Sequence, residues 1–360
     1  MIDSAVLLQA FGKKFERKEI FEDSEALRKR KICKYVNVDK EDIVALTPTG
    51  GDINLLGHLL IVDRKRDSID KAPSVVLAIR GTYTISGLKI DAAGFSRPFL
   101  DGRAHAGIAD RAEYLWRKVE LQVLGALTKN PGCNFVITGH SLGAGAAALL
   151  AMKLNYEMLT QPNHPLKEVK VKCFAFACPP VYYHDDQRSE KLAADAMKNT
   201  YAFIHESDCV SFLSVFSVQQ LADKVIQVDK QTKFKPILRL LMATGARNIP
   251  QKIVNAAIGV PPRELPLLPN AEQLAIPAPY VIWLRHVSDE TVAKKVRPKY
   301  NAMFCRPRVD ASGAVGTNDL GLMVTKRMIS DHMNPMYERA VNSILEQIIG
   351  GEVPGYDFPN

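Results

Sequence analysis

The 360-residue chain is 47% hydrophobic and 24% charged, a composition typical of ordinary globular proteins with a large core. No uncharged apolar run approaches the ~20 residues of a transmembrane helix, which excludes a membrane-spanning segment. The formal net charge of +8 favours attraction to anionic lipids or nucleic acid, but solubility alone accounts for it equally well. No internal repeat or long linker divides the chain, so we predict one domain with insertions.

Residues 1–40 are predicted to form an N-terminal helical extension, because Val6, Leu7, Phe11 and Phe15 fall on one helical face. This stretch has an acidic residue near its start and only a short apolar run, unlike a signal peptide, so we expect a cytoplasmic protein. A basic cluster lies within this stretch, just after an acidic run, and we interpret it either as a solvated helix end or as a membrane-contact patch. It comprises Arg28, Lys29, Arg30, Lys31 and Lys34.

Strands and helices are predicted to alternate from residue 41 onwards. Helical spacing predicts a helix over 107–129, a second one after Ser141 and an amphipathic one from Tyr337. This alternation favours an α/β fold with a mostly parallel, doubly wound sheet and helices on both faces. Apolar runs predict the buried strands 57–63, 74–80, 134–138, 171–177, 200–205 and 280–284.

Two further segments do not fit this alternation. Residues 83–99 mix apolar side chains with Ser, Gly and Lys, which suits a movable cover over a site or a packed surface loop equally well. Residues 232–275 contain many prolines and are predicted to form an insertion over one face of the sheet.

The motif Gly139-His140-Ser141-Leu142-Gly143 lies between an apolar strand and an alanine-rich helix. A serine in such a sharp turn is held in a strained backbone conformation, and the flanking glycines let strand and helix pass closely. Its hydroxyl then stands at the edge of the sheet, and the helix start provides a positive dipole end. The motif and its context predict Ser141 as the nucleophile of an α/β-hydrolase.

A serine hydroxyl needs a histidine to accept its proton and an acid to orient that histidine. In this fold the acid and then the histidine follow the serine along the chain, which leaves His286 and His332. His332 lies in a polar loop before the last helix and is the predicted base. His286 ends an apolar strand and stays as the alternative.

Asp208 is the predicted acid because it follows the strand 200–205 by three residues. Sites in open α/β sheets gather at such carboxyl ends of strands. Glu206 is the nearest competitor, and Asp331 is interpreted as a loop or helix-cap residue.

The oxyanion of the reaction needs two donors. The N–H of Leu142, at the start of the helix after Ser141, is the first candidate. Thr82 follows a buried strand in the turn Arg80-Gly81-Thr82 and offers both an N–H and a hydroxyl. This chemistry needs no metal or organic cofactor.

These residues together resemble the class 3 lipase family, which comprises fungal-type triacylglycerol lipases and their diacylglycerol lipase relatives. The resemblance covers residues 75–337, and we predict that these residues belong to a single domain over residues 41–360. It implies Ser141, Asp208 and His332 as a catalytic triad, with Thr82 and Leu142 as oxyanion donors. The matching residues are Ile79-Arg-Gly-Thr82, Asp91, His105-Ala-Gly107, Phe135 to Gly145, Asp208-Cys-Val210 and Asp331-His332.

The resemblance implies a hydrolase that cleaves carboxylic esters of lipids, with diacylglycerol or triacylglycerol as substrate and an acyl-enzyme intermediate. Phospholipase A1 and small-ester carboxylesterase activities use the same machinery and stay open. A non-catalytic scaffold that binds a lipid or protein is the alternative from another class. Contact with a membrane or lipid droplet is expected to be peripheral, and no nucleic-acid partner is expected.

Overall fold

The computed structural model describes twelve stretches of the chain. The first 23 residues, Thr82 and nearly all of the proline-rich insertion lie outside them, so the predicted domain boundaries stay predictions. The described residues are 24–48, 55–64, 72–81, 96–184, 190–214, 217, 274–286, 299–305, 308–309, 315–316, 325 and 327–351.

The described elements include every strand predicted between residues 57 and 284, and they add further strands that were not predicted. The strands are β1 (Ile43–Thr47), β2 (His58–Asp63), β3 (Ser74–Ile79), β4 (Ser96–Phe99), β5 (Gly102–His105), β6 (Asn134–His140), β7 (Val171–Phe176), β8 (Tyr182–His184), β9 (Thr200–His205), β10 (Tyr280–His286), β11 (Tyr300–Cys305), β12 (Arg308–Val309) and β13 (Val315–Gly316). The helices are α1 (Ser24–Val36), α2 (Ala106–Lys129), α3 (Leu142–Thr160), α4 (Glu190–Met197), α5 (Met328–Asp331) and α6 (Asn334–Ile349).

Within the described stretches, the main sheet has eight strands in the order β1-β2-β3-β6-β7-β9-β10-β11. The central strands β3, β6, β7, β9 and β10 are parallel, whereas β2 and β11 run antiparallel to their neighbours. All parallel strands therefore end at one edge of the sheet, where the loops that carry Ser141 and Asp208 begin. The predicted α/β-hydrolase fold, with its mostly parallel sheet, is confirmed.

Helices cover both faces of this sheet. The apolar positions of α2 recur every three or four residues, at Ile108, Ala112, Leu115 and Val119, and all of them are buried. They pack with α3 against one face, where Leu77 and Ile137 lie. On the other face, α1 packs against β2 and β3, and α6 packs against β9, β10 and β11. No helix in the described part of the chain combines the length and apolarity needed to cross a bilayer.

Three short strands form a second, antiparallel sheet in the order β4-β5-β8. Strand β4 forms the end of residues 83–99, which the sequence analysis interprets either as a movable cover or as a packed surface loop. Phe99 of β4 is buried and contacts the Tyr182 ring edge-on, with 6.4 Å between the ring centroids. Residues 96–99 are thus part of the packed structure, and residues 82–95 lie outside the described part of the chain.

Candidate active site

Ser141 occupies the turn between β6 and α3 with φ 57° and ψ −129°. A positive φ is strained for a residue with a side chain, and it persists only where the surroundings hold it. Here the N–H of Ser141 donates to the Phe176 carbonyl of β7 at 2.9 Å. The Ser141 carbonyl accepts from the N–H groups of Ala144 at 2.9 Å and Gly145 at 3.1 Å. The neighbouring strand and the first turn of the helix together fix this conformation.

Three glycines make the turn possible, because at each of them a neighbouring backbone segment occupies the space that a Cβ atom would need. A Cβ on Gly139 would overlap the Gly143 carbonyl, and a Cβ on Gly143 would overlap the Ile79 carbonyl. A Cβ on Gly81 would lie 2.5 Å from the His140 carbonyl oxygen. The close approach also puts the end of β3, and with it the turn before Thr82, against the nucleophile turn.

His332 lies between α5 and α6, with its ring directed at Ser141. Its Nε2 is 3.0 Å from Ser141 Oγ, and its Nδ1 is 3.0 Å from each carboxylate oxygen of Asp208. These are hydrogen-bond distances. The structure therefore brings together the three side chains that the sequence selected, although 191 residues separate Ser141 from His332 along the chain.

Asp208 is fully buried in the turn after β9. Its carboxylate accepts hydrogen bonds from the Tyr337 hydroxyl at 2.6 Å and from the Val210 N–H at 2.8 Å. Burial alone would raise the pKa of Asp208, but the positive charge of His332 and the hydrogen bonds from His332, Tyr337 and Val210 outweigh it. The pKa of Asp208 consequently lies below its ordinary value, so the group is an ionised carboxylate facing His332 Nδ1.

The two competing residues lie elsewhere. Glu206 accepts a hydrogen bond from the backbone N–H of His286, and its own carbonyl accepts from the Trp283 indole at 2.8 Å. The His286 side chain is exposed and stands against the Tyr300 ring, with 5.6 Å between centroids. Neither side chain is hydrogen-bonded to Ser141 or His332 within the described residues.

Sequence reasoning missed Tyr337, which was placed only on the apolar face of the last helix. Its ring is completely buried, and its hydroxyl also accepts a hydrogen bond from the His205 N–H at 3.0 Å. A buried tyrosine needs such partners. The nearby Asp331 is buried as well, and its carboxylate accepts from the Ser207 N–H at 3.2 Å. A tyrosine on an otherwise apolar helical stripe, five residues after the base, was the available signal.

Of the two predicted oxyanion donors, Leu142 is described and Thr82 is not. Leu142 is the first residue of α3, so its N–H is one of the four that have no acceptor within the helix. The positive end of the helix dipole lies at the same place. Among the described residues, no three His, Cys, Asp or Glu side chains gather into a group that could hold a metal ion.

Comparison with known proteins finds lipases among the sequences and structures that are similar to this chain. Residues 76–217 match the family model described as Lipase (class 3). Diacylglycerol lipase-beta of Mus musculus is 29% identical over 195 residues, which cover 52% of this chain and 26% of the relative. Diacylglycerol lipase-alpha of Homo sapiens is 28% identical over 238 residues, which cover 61% of this chain and 19% of the relative. The chain therefore spans about a fifth to a quarter of the length of these curated relatives.

Solved lipase structures are also similar to the chain. The native Rhizomucor miehei lipase propeptide complex is 16% identical, covers 60% of this chain and 62% of its own, and gives a TM-score of 0.40. The lipase from Rhizopus microsporus var. chinensis is 16% identical, with coverages of 60% and 68% and a TM-score of 0.41. The family match contains the nucleophile turn and Asp208, whereas His332 lies beyond it. Residues 76–217, which contain Ser141 and Asp208, are thus similar to the class 3 lipase family.

Proposed function

We propose that the protein is a serine hydrolase that cleaves carboxylic ester bonds of acylglycerols, with Ser141, His332 and Asp208 as its catalytic triad. The observation that carries this proposal is the position of His332, within 3.0 Å of both Ser141 Oγ and the Asp208 carboxylate. A hydroxyl is a weak nucleophile until a base accepts its proton, and this geometry supplies that base and orients it.

The reaction proceeds in two halves. Ser141 Oγ attacks the ester carbonyl while its proton passes to His332 Nε2, and Asp208 stabilises the resulting imidazolium. Collapse of the tetrahedral intermediate breaks the ester bond, and His332 gives the proton to the departing alcohol. Water then attacks the acyl-enzyme with His332 again as base, which releases the fatty acid and restores Ser141.

The negative oxygen of each tetrahedral intermediate is stabilised by the backbone N–H of Leu142 and by Thr82. The position of Leu142 at the N-terminus of α3 supports the first assignment. Gly81 lies close to Ser141, since a Cβ added to Gly81 would be 3.3 Å from the Cβ of Ser141. This proximity supports the assignment of Thr82, because Thr82 is the next residue.

Diacylglycerol is the substrate that we propose first, because both relatives are named diacylglycerol lipases. Phospholipase A1 and small-ester carboxylesterase activities would use the same residues with a different acyl or head-group site. A panel of diacylglycerol, phosphatidylcholine and p-nitrophenyl butyrate separates the three activities. We expect the highest kcat/KM on diacylglycerol, and a preference for either other ester assigns the corresponding activity instead.

Labelling with a fluorophosphonate probe tests whether Ser141 is activated. We expect one covalent adduct, on the peptide that contains Ser141, because the probe reacts with serines whose proton a neighbouring base accepts. The adduct is mapped by mass spectrometry after digestion. An adduct on another serine, or none at all in the presence of lipid vesicles or detergent, contradicts the proposal and favours a non-catalytic lipid- or protein-binding scaffold.

Contact with a lipid surface is proposed for the rim beside the base. Ile329 is 50% exposed and Met333 is 54% exposed, and these two apolar side chains flank His332 along the chain. Large apolar side chains exposed next to a site are typical of interaction surfaces. They support peripheral attachment, in which Ile329 and Met333 insert into the surface of a membrane or lipid droplet and the active site faces the lipid substrate.

The double variant Ile329→Ser with Met333→Ser tests this attachment. We expect the ratio of the rate on vesicle-borne diacylglycerol to the rate on a soluble short-chain ester to fall about tenfold, because partial burial of two such side chains is worth at least ~1.4 kcal/mol. Leu121→Ser is the matched control, since Leu121 is 84% exposed on α2, away from the site. An equal effect of both variants on the ratio contradicts the assignment.

A further inference from the structure

Two buried histidines that take no part in the proposed proton transfer contact the segment that carries the base. His140 is the last residue of β6, and its Nε2 lies 2.8 Å from the carbonyl oxygen of His332. His205 is the last residue of β9, and its Nδ1 lies 3.2 Å from the carbonyl oxygen of Asp331. Two consecutive backbone carbonyls are thus each bound by an imidazole from a different strand.

The direction of these hydrogen bonds follows from the partners. A carbonyl oxygen only accepts, so the hydrogen must reside on Nε2 of His140 and on Nδ1 of His205. For His205 the remaining nitrogen, Nε2, is then an acceptor, and the Tyr300 hydroxyl lies 3.4 Å from it. Each ring therefore has one defined tautomer.

Both rings are neutral at neutral pH. Burial, together with the charge of His332, lowers the pKa of His140 to about 3. Burial also lowers the pKa of His205, although Asp331 and Glu206 act in the opposite direction. Each ring keeps a single N–H, which points at its carbonyl.

The positions of the two histidines connect the base to its partners. His140 directly precedes Ser141, and His205 comes three residues before Asp208. The ring of His140 also packs against that of His332, with 4.7 Å between centroids. The ends of β6 and β9, which position the nucleophile and the acid, therefore also bind the backbone of residues 331–332, which carries the base.

We propose that His140 and His205 are positioning residues whose ring N–H groups hold the backbone of residues 331–332, so that the His332 ring meets Ser141 and Asp208 together. This inference rests on the proposed function, because it assigns the residues that align its base. A shift of about 1 Å in such a group costs about 100-fold in rate.

Paired substitutions test this inference. His140→Leu and His205→Leu remove the donors, whereas His140→Gln and His205→Asn keep an amide N–H near the original nitrogen. We expect each leucine variant to lose about 100-fold in kcat with little change in KM, and each amide variant to recover most of that loss. The matched control is His58→Leu, because His58 is also buried and contacts a carbonyl, that of Leu56 at 3.0 Å, but does not contact residues 331–332. Its kcat is expected to stay at the native value.

The outcomes separate this inference from the proposed function. If the native protein is not labelled at Ser141 and hydrolyses no ester, the proposed function is wrong. An active native enzyme whose leucine variants keep native kcat, or whose amide variants lose as much as the leucine variants, overturns the positioning role.

A measurement on the native protein does not depend on activity or on how the variants fold. In nitrogen-15 spectra of the histidine rings at pH 7, we expect the proton of His140 on Nε2 and that of His205 on Nδ1. Both protons are expected to exchange slowly with solvent. The opposite tautomer at either ring overturns the proposed contact at that ring.

Discussion

Ser141→Ala, His332→Ala and the double variant are each expected to lower kcat by about the same factor, roughly a millionfold. The three losses coincide because neither residue works without the other, since Ser141 Oγ needs His332 Nε2, 3.0 Å away, to accept its proton. Asp208→Asn is expected to cost less, about 10,000-fold, because Ser141 and His332 remain but the orientation of the imidazole is lost. The measurement is the steady-state rate on diacylglycerol and on a soluble ester.

His286→Ala is the control for this series. His286 is the other histidine that the sequence leaves as a base, and its exposed ring stands against Tyr300. We expect it to keep native kcat. A large loss in His286→Ala together with native activity in His332→Ala would show that His286, and not His332, is the base. Additive losses in the Ser141 and His332 variants would contradict their action as one unit.

Gly143→Ala is expected to destabilise the fold by about 3 kcal/mol or more and to abolish activity. The added methyl group would overlap the Ile79 carbonyl oxygen and lie 2.7 Å from the Arg80 carbonyl carbon. Both atoms belong to the backbone at the end of β3 and directly after it, and backbone atoms have no alternative rotamer with which to move aside. Strand β3 and helix α3 would have to separate, and the turn that holds Ser141 would lose its conformation.

Gly125→Ala is the matched control, because it adds the same methyl group to another helical glycine. Gly125 lies in α2, and a Cβ there meets nothing within 4 Å. Alanine in an open helical position is expected to stabilise the fold by about 0.5–1 kcal/mol. The free energy of unfolding in urea measures both changes, and a Gly143→Ala variant as stable as Gly125→Ala would contradict the close packing at the turn.

The inner strands of the main sheet, β2, β3, β6, β7, β9 and β10, were predictable because they form apolar runs. The edge strands β1 and β11 were not predicted, and β1 is only partly buried. Strand β9 has the predicted bounds, 200–205, and β6 extends the predicted run by two residues, to His140. The sheet of β4, β5 and β8 was not predicted, because these three- and four-residue strands mix polar and apolar side chains without a clear period.

The candidate site was predictable in its chemistry and not in its contacts. The known order of nucleophile, acid and base in this fold, together with the local context of each residue, selected Ser141, Asp208 and His332 and left His286 and Glu206 as alternatives. The contacts of Tyr337 and His140 join residues that are distant in sequence. No local pattern reports that a hydroxyl on α6 meets a carboxylate after β9, so those partners emerged only from the folded structure.

The segment with the proposed base joins the nucleophile from 191 residues further along the chain. During synthesis the chain emerges from its N-terminus, so Ser141 leaves the ribosome well before His332. A growing chain from which residues 328–337 have not yet emerged therefore contains Ser141 but not His332. Under the proposed function such a chain has a nucleophile without its base, so the ability to attack lipid esters arises only when the last helix docks.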